Sequence, residues 1–183
     1  VYSGDSLTLR RGMARSINTI AARLTEMVGV DAIIEMAHNL GIESKLRPVP
    51  SICLGSSDVN VFEMVGAYST FVNKGVWTEP TFIERIEDNS GNVIFEATPK
   101  RKDALTEEVA AVMVHLLKGG TEEGGGTSQA LFQYNIFRGN EMGGKTGTSS
   151  NYSDGWFMGV STRLVGGVWV GGEDRSIHFR TSA

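Results

Sequence analysis

The sequence predicts an α+β domain in which helices surround an antiparallel sheet, and three observations lead to this fold class. Apolar residues recur at helical spacing through residues 17–28 and again in later segments. Two β-rich runs, 156–160 and 164–170, are separated only by a short polar turn, which is typical of an antiparallel hairpin. Residues 145–148 precede this hairpin, and we expect them to form a neighbouring strand.

Capping residues and glycines set the helix boundaries. The predicted helices are 17–28 ended by Gly29, a second from its cap Asp31 to Gly41, a third that begins at Asn60 and runs toward Gly75, and a fourth that Thr106 caps and that runs through Leu117 to Gly119 and Gly120. Segments 82–86 and 93–96 flank a turn and predict a peripheral hairpin. We expect residues 100–102 to form a solvated turn and residues 121–127 to form a mobile loop near the cleft.

The segment around Lys145 admits two chemical interpretations. From Gly139 to Thr146 it satisfies the P-loop pattern G-x-x-x-x-G-K-[ST], which would make the protein a nucleotide hydrolase. A P-loop needs a buried strand before the glycines and a helix directly after the lysine. Residues 133–138 are too short and polar for such a strand, and residues 147–155 disfavour a helix. The nucleotide hydrolase is therefore the weaker alternative.

The second interpretation is a K-T-G element made by Lys145, Thr146 and Gly147. A lysine cation beside the hydroxyls of Thr146 or Thr148 is suited to binding a carboxylate, because charge-assisted hydrogen bonds are roughly twice as strong as neutral ones. Gly147 would let the backbone of a ligand approach the strand closely. Lys145 could also be an ordinary solvated lysine that protects an edge strand from aggregation.

Three blocks resemble the transpeptidase domain of a class A (bifunctional) penicillin-binding protein: residues 15–24 with an S-x-N element, residues 50–68, and residues 143–169 with the K-T-G element. The resemblance implies the antiparallel sheet and surrounding helices that penicillin-binding proteins and serine β-lactamases share. In this sequence we expect that fold to be incomplete at both ends. It implies that Ser16 relays a proton during acylation and that Asn18 hydrogen-bonds the amide of the acyl donor. Lys145 would keep the site positive and assist the relay.

The same resemblance assigns substrate contacts to the K-T-G strand. Thr146 and Thr148 would bind the terminal carboxylate of a D-Ala-D-Ala stem peptide, with Gly147 between them. The backbone N–H of Thr148 would form half of the oxyanion hole, and such preorganised donors supply much of the rate enhancement in acyl transfer. The implied ligands are peptidoglycan stem peptides and β-lactam antibiotics, and the implied location is the extracytoplasmic (periplasmic) face of the cytoplasmic membrane.

The nucleophile of this family, the serine of S-x-x-K, is not found at the required spacing. No lysine in the sequence has a serine three residues before it. We therefore expect residues 1–183 to be the C-terminal portion of one transpeptidase domain, with the nucleophile upstream and a closing helix beyond the end. The isolated chain is predicted to be inactive.

Composition restricts the partners. The net charge of −4 argues against a nucleic-acid ligand, which normally requires a basic stripe. No apolar run approaches the ~20 residues of a membrane span, so any membrane attachment is expected through segments outside this sequence. The sequence predicts no cofactor and no metal. A noncatalytic peptidoglycan-binding module remains as a further alternative.

Overall fold

The computed structural model describes residue 4 and residues 6–181, which form five α-helices and seven β-strands. The helices are α1 (Leu9–Ala14), α2 (Asn18–Val28), α3 (Val30–Asn39), α4 (Val61–Val72) and α5 (Glu107–Glu122). The strands are β1 (Val76–Thr78), β2 (Arg85–Glu87), β3 (Val93–Glu96), β4 (Arg101–Asp103), β5 (Met142–Thr148), β6 (Asp154–Ser161) and β7 (Val165–Gly171). Short 3-10 helices occur at Pro50–Leu54, Gln129–Gln133 and Asn135–Phe137.

The central sheet has three antiparallel strands in the order β5-β6-β7. Lys145 on β5 pairs with Met158 on β6, which pairs with Gly167 on β7. The predicted hairpin and the predicted neighbouring strand are both confirmed. Because cross-strand partners share a face, Lys145 lies on the same face as the buried Met158 and Val160.

Helices α4 and α5 pack against this inner face. Ala67 on α4 and Ala110 and Leu117 on α5 are buried together with Met158 and Val160. The opposite face is open, since the side chain of Val168 is 52% exposed. The α+β class is therefore confirmed, with helices packed against one face of the antiparallel sheet.

Two smaller antiparallel pairs lie outside this layer. The pair β2–β3 confirms a peripheral hairpin, although residues 82–84 are not part of its first strand. The expectation of a simple turn at residues 100–102 was wrong, because Arg101 and Lys102 belong to β4 and pair with β1. Lys102 lies over the ring of Trp77, 5.0 Å from its centroid, and this cation–π contact stabilises the pairing of the charged strand β4 with β1.

Most predicted helix ends are confirmed, and two were wrong. Asn60 accepts a hydrogen bond from the amide of Glu63, as its predicted cap role requires. Asp31 does not cap α3, because the chain turns at Gly29 and Asp31 falls in the first turn, where a carboxylate favours the helix dipole. Helix α5 continues past Gly119 and Gly120 to Glu122. No helix in the described part of the chain is long and apolar enough to cross a membrane.

Candidate active site

Ser16 lies in the turn between α1 and α2, with a backbone φ of +52°. The amide of Ser16 donates to the carbonyl of Met13, and the amide of Ile17 donates to that of Gly12, both at 3.0 Å. These two bonds are the Schellman arrangement that closes a helix, at a position usually occupied by glycine. Ser16 therefore ends α1 and does not cap α2, whose N-cap residue is Ile17. A serine held in the left-handed region is strained, and such strain is common at functional sites.

Lys145 joins the two motifs of the sequence, which are 129 residues apart. Its ammonium group donates to the hydroxyl of Ser16 and to the carbonyl of Thr146, the latter at 2.6 Å. The side chain is partly buried, and this desolvation lowers the pKa of Lys145 below its ordinary range. The interpretation of Lys145 as a freely solvated edge lysine does not fit these contacts.

Glycines allow helix α5 to lie directly against β5. A Cβ on Gly143 would be 2.6 Å from the backbone nitrogen of Lys118, and a Cβ on Gly120 would be 2.4 Å from the carbonyl oxygen of Gly144. Both distances are shorter than van der Waals contact allows, so larger residues would push the helix away from the strand. This close approach explains why α5 continues through its glycine pair, against the prediction that the pair ends it.

The backbone of β5 presents polar groups at the edge opposite β6. In an antiparallel pair, successive residues point their amide and carbonyl groups alternately toward and away from the partner strand. Ser149 donates its amide to the carbonyl of Asp154 across the pair, at 3.2 Å. The amide of Thr148, one residue earlier, therefore faces the outer edge of β5. The carbonyl of Thr146 faces the same edge, where it meets the ammonium group of Lys145.

A cavity of about 270 Å³ opens beside the motif and is lined by every residue from Lys145 to Ser149. Tyr68 on α4 and Met158 on β6 form apolar parts of its wall. Burial raises the pKa of Tyr68 to about 12, so its phenol stays neutral. The cavity thus combines a cation and several hydroxyls with an apolar wall.

Of the predicted mobile loop 121–127, the first two residues belong to α5, and residues 123–127 are hydrogen-bonded to the end of α1 and to β5. Arg15 donates twice to the carbonyl of Gly124, at 2.9 and 2.6 Å, and the amide of Thr127 donates to the carbonyl of Ala14 at 3.0 Å. The hydroxyl of Thr146 donates to that of Thr127 at 2.7 Å. Sequence reasoning missed Thr127, because nothing in the local pattern indicates a partner 19 residues away.

The remaining predicted residues lie close by, with fewer contacts. Asn18 is the first residue of α2 and is exposed, and its side chain makes no hydrogen bond within the described residues. Thr148 is the exposed last residue of β5, and Gly147 pairs with Trp156. Hydrogen bonds therefore connect Ser16 to Lys145, Lys145 to Thr146 and Thr146 to Thr127. Asn18 follows Ser16 by two residues in the chain.

The P-loop alternative is contradicted by the strand structure of its segment. Lys145 and Thr146 lie inside β5, and the chain turns from β5 directly into β6 without an intervening helix. No helix N-terminus is therefore present to bind phosphate after the lysine. Among residues 6–181, no group of three or more His, Cys, Asp or Glu side chains is arranged to hold a metal ion.

Comparisons with known proteins agree on one family. Residues 2–170 match the family model described as "Penicillin binding protein transpeptidase domain". The chain is 34% identical over 166 residues to penicillin-binding protein 1A of Aquifex aeolicus, covering 91% of the chain and 22% of that protein. It is 32% identical over 177 residues to penicillin-binding protein 2D of Bacillus subtilis, covering 96% of the chain and 25% of that protein.

Solved structures show the same fold. The chain matches a crystal structure of penicillin-binding protein 1A from Haemophilus influenzae with a TM-score of 0.83 at 24% identity, covering 97% of the chain and 34% of that structure. It matches an imipenem acyl-enzyme complex of penicillin-binding protein A from M. tuberculosis with a TM-score of 0.77 at 20% identity, covering 100% of the chain and 46% of that structure. The chain spans about a quarter of the length of the two relatives named above.

Proposed function

The chain belongs to the transpeptidase domain family of penicillin-binding proteins, and we propose that it forms the carboxylate-binding and proton-relay half of a D,D-transpeptidase site. The observation that carries this proposal is the hydrogen bond from Lys145 to Ser16, which unites the K-T-G and S-x-N elements at one edge of the sheet. The substrate would be a peptidoglycan stem peptide ending in D-Ala-D-Ala, and β-lactams would acylate the same site.

The edge of β5 would bind the donor peptide. Lys145 supplies a positive charge, and Thr146 and Thr148 supply hydroxyl donors for the terminal carboxylate. The outward amide of Thr148 would stabilise the negative oxygen of the tetrahedral intermediate, which is the kind of fixed dipole that lowers the barrier of acyl transfer. The side chain of Asn18, in the first turn of α2, would form a hydrogen bond with the peptide amide of the same acyl donor.

Acylation would need a serine from a segment outside this chain. Its oxygen would attack the carbonyl carbon of the penultimate D-Ala, forming an ester while the bond to the terminal D-Ala nitrogen breaks. The serine proton would pass to the lysine of S-x-x-K and, through the hydroxyl of Ser16, to the departing nitrogen. The ammonium group of Lys145 favours this transfer because it polarises the Ser16 hydroxyl that donates the proton.

The cavity beside Lys145 supports an external nucleophile, because its wall offers an apolar surface next to the polar edge of β5. Tyr68 and Met158 would pack against the helix that carries the serine, while the serine itself would face Lys145. We refer to this chain joined to that upstream segment as the complete protein. Its site would lie on the extracytoplasmic face of the cytoplasmic membrane.

The test is covalent labelling with a fluorescent penicillin. The complete protein is expected to form a stable acyl-enzyme that survives denaturation, whereas the isolated chain is expected to remain unlabelled. A noncatalytic peptidoglycan-binding module would instead bind stem peptides without ever forming the covalent adduct. Labelling of the isolated chain would show that the nucleophile lies within residues 1–183 and would overturn the division of the site proposed here.

A further inference from the structure

The hydroxyl groups of Thr127 and Thr146 form a pair at the proposed carboxylate site, with their oxygens 2.7 Å apart. Thr146 is the donor, so its only hydroxyl hydrogen points to Thr127. In this arrangement Thr146 presents lone pairs to an arriving anion. A carboxylate would be repelled unless the hydrogen of Thr146 turned toward it.

Thr127 can supply the hydrogen that such a rotation requires. Its hydroxyl makes no other hydrogen bond within residues 6–181, so a small turn of the side chain would let the O–H donate to the oxygen of Thr146. Thr146 would then give its own hydrogen to the carboxylate, forming a chain from Thr127 through Thr146 to the anion. Consecutive hydrogen bonds of this kind polarise and strengthen one another.

The backbone around Thr127 holds its hydroxyl in a suitable place. Its amide is bound to the carbonyl of Ala14, next to the turn that carries Ser16, and Gly124 is held by Arg15. Arg10 on α1 adds ion pairs to Glu122 and to Glu123, the latter at 2.5 Å. The loop is therefore attached to α1 on one side and to β5 on the other, and Thr127 sits where the two meet.

We propose that Thr127 is a positioning residue for carboxylate recognition: it donates to Thr146 when the acyl donor is bound and so makes Thr146 a donor to the anion. This inference rests on the proposed function. Thr127 itself acts through Thr146 and does not need to touch the substrate. Its contribution belongs to ligands that carry a carboxylate and to the noncovalent binding step that precedes acylation.

The experiment uses the complete protein with penicillin V and with its methyl ester, which lacks the charged carboxylate. Stopped-flow acylation gives the noncovalent dissociation constant and the acylation rate constant separately. We expect Thr127→Val, which removes the hydroxyl and keeps the shape, to weaken penicillin V binding by roughly 3- to 10-fold, the value of one hydrogen bond. The rate constant of acylation and the binding of the ester should change by less than about twofold.

Three further variants separate positioning from folding. Thr127→Ser keeps the hydroxyl and should bind penicillin V as the unsubstituted protein does. Ser128→Ala is the matched control, because the neighbouring Ser128 hydroxyl is buried and has no hydrogen-bond partner within the described residues. Adding Thr127→Val to Thr146→Val should cause no further loss of penicillin V affinity, because the hydroxyl through which Thr127 acts is already absent.

The outcomes discriminate between the two proposals. Equal losses for penicillin V and its ester, or additive losses in the double variant, would assign Thr127 a packing role and overturn this inference alone. Unchanged penicillin V binding in Thr127→Val would overturn it as well. If the unsubstituted complete protein is not acylated at all, the proposed function fails and this inference fails with it.

Discussion

The two outer strands of the central sheet, β5 and β7, are similar in composition and different in their surroundings. Each has seven residues and three glycines, and each pairs with β6 on one side only. Helix α5 and the turn carrying Ser16 lie against β5, where added Cβ atoms on Gly143 would collide with helix backbone. On β7, a Cβ on Gly167 would meet only side chains, with Val65 of α4 at 2.8 Å, and on the open face Gly166 has no atom within 4 Å of such a Cβ. A glycine-rich edge strand becomes a candidate site only where other backbone is packed beside it.

The largest expected effect is on acylation, and of the two outer strands only β5 should show it. Lys145→Ala in the complete protein should lower the rate constant for acylation by penicillin V by roughly 10²- to 10³-fold, as does the loss of one preorganised donor in other acyl transfer sites. Val168→Ala on β7, in the same cross-strand row as Thr146, should change it by less than about twofold. Equal effects at the two strands would remove the functional difference drawn between them.

Replacing a glycine by alanine should also destabilise the protein more on β5 than on β7. Gly143→Ala is expected to lower the free energy of unfolding by about 1–3 kcal/mol, because its new methyl group must displace the backbone of α5. Gly166→Ala should change it by less than about 0.5 kcal/mol, since the methyl group enters open space. Chemical denaturation of the complete protein measures both values. A neutral Gly143→Ala would mean that α5 does not lie as close to β5 as the structure indicates.

The pH dependence of ligand binding tests the charge on Lys145. Because burial lowers its pKa, the noncovalent affinity for penicillin V should fall as pH rises through a range below the ordinary 10.5. In that range the unfolded chain binds more protons than the folded one at this residue, so the Lys145 contribution to stability rises with pH. Loss of affinity therefore cannot be attributed to unfolding driven by Lys145. The fall should be absent in Lys145→Ala, measured by stopped-flow over the same range.

The smallest expected effect concerns the strained turn at Ser16. Ser16→Gly should raise the free energy of unfolding by about 0.5–1 kcal/mol, because relief of left-handed strain outweighs the flexibility that glycine adds to the unfolded chain. Ser16→Ala keeps the strain and should give no such gain. Both variants should lose acylation, since both lack the hydroxyl that Lys145 contacts. A stabilised Ser16→Gly variant with full acylation would remove Ser16 from the proton relay.

Much of the fold followed from local patterns. Periodicity predicted α2 before Gly29, the cap at Asn60 predicted α4, and two β-rich runs separated by a polar turn predicted β6 and β7, with β5 as their neighbour. The error at the end of α5 has a tertiary cause. Gly119 and Gly120 should weaken a helix by their intrinsic propensity, yet contacts with Arg10 and β5 keep them helical. Such contacts join residues far apart in the sequence and leave no local signature.

The candidate site shows the same division. Short motifs and the family resemblance they carry singled out Ser16, Asn18, Lys145, Thr146, Gly147 and Thr148 as candidates, because each chemical group is encoded by its side chain. Only the folded chain brings Lys145 to Ser16, turns the Thr148 amide outward and adds Thr127 to the group. Propensity and capping act over a few residues and can be recognised in a sequence, whereas distances between segments arise from packing of the whole domain.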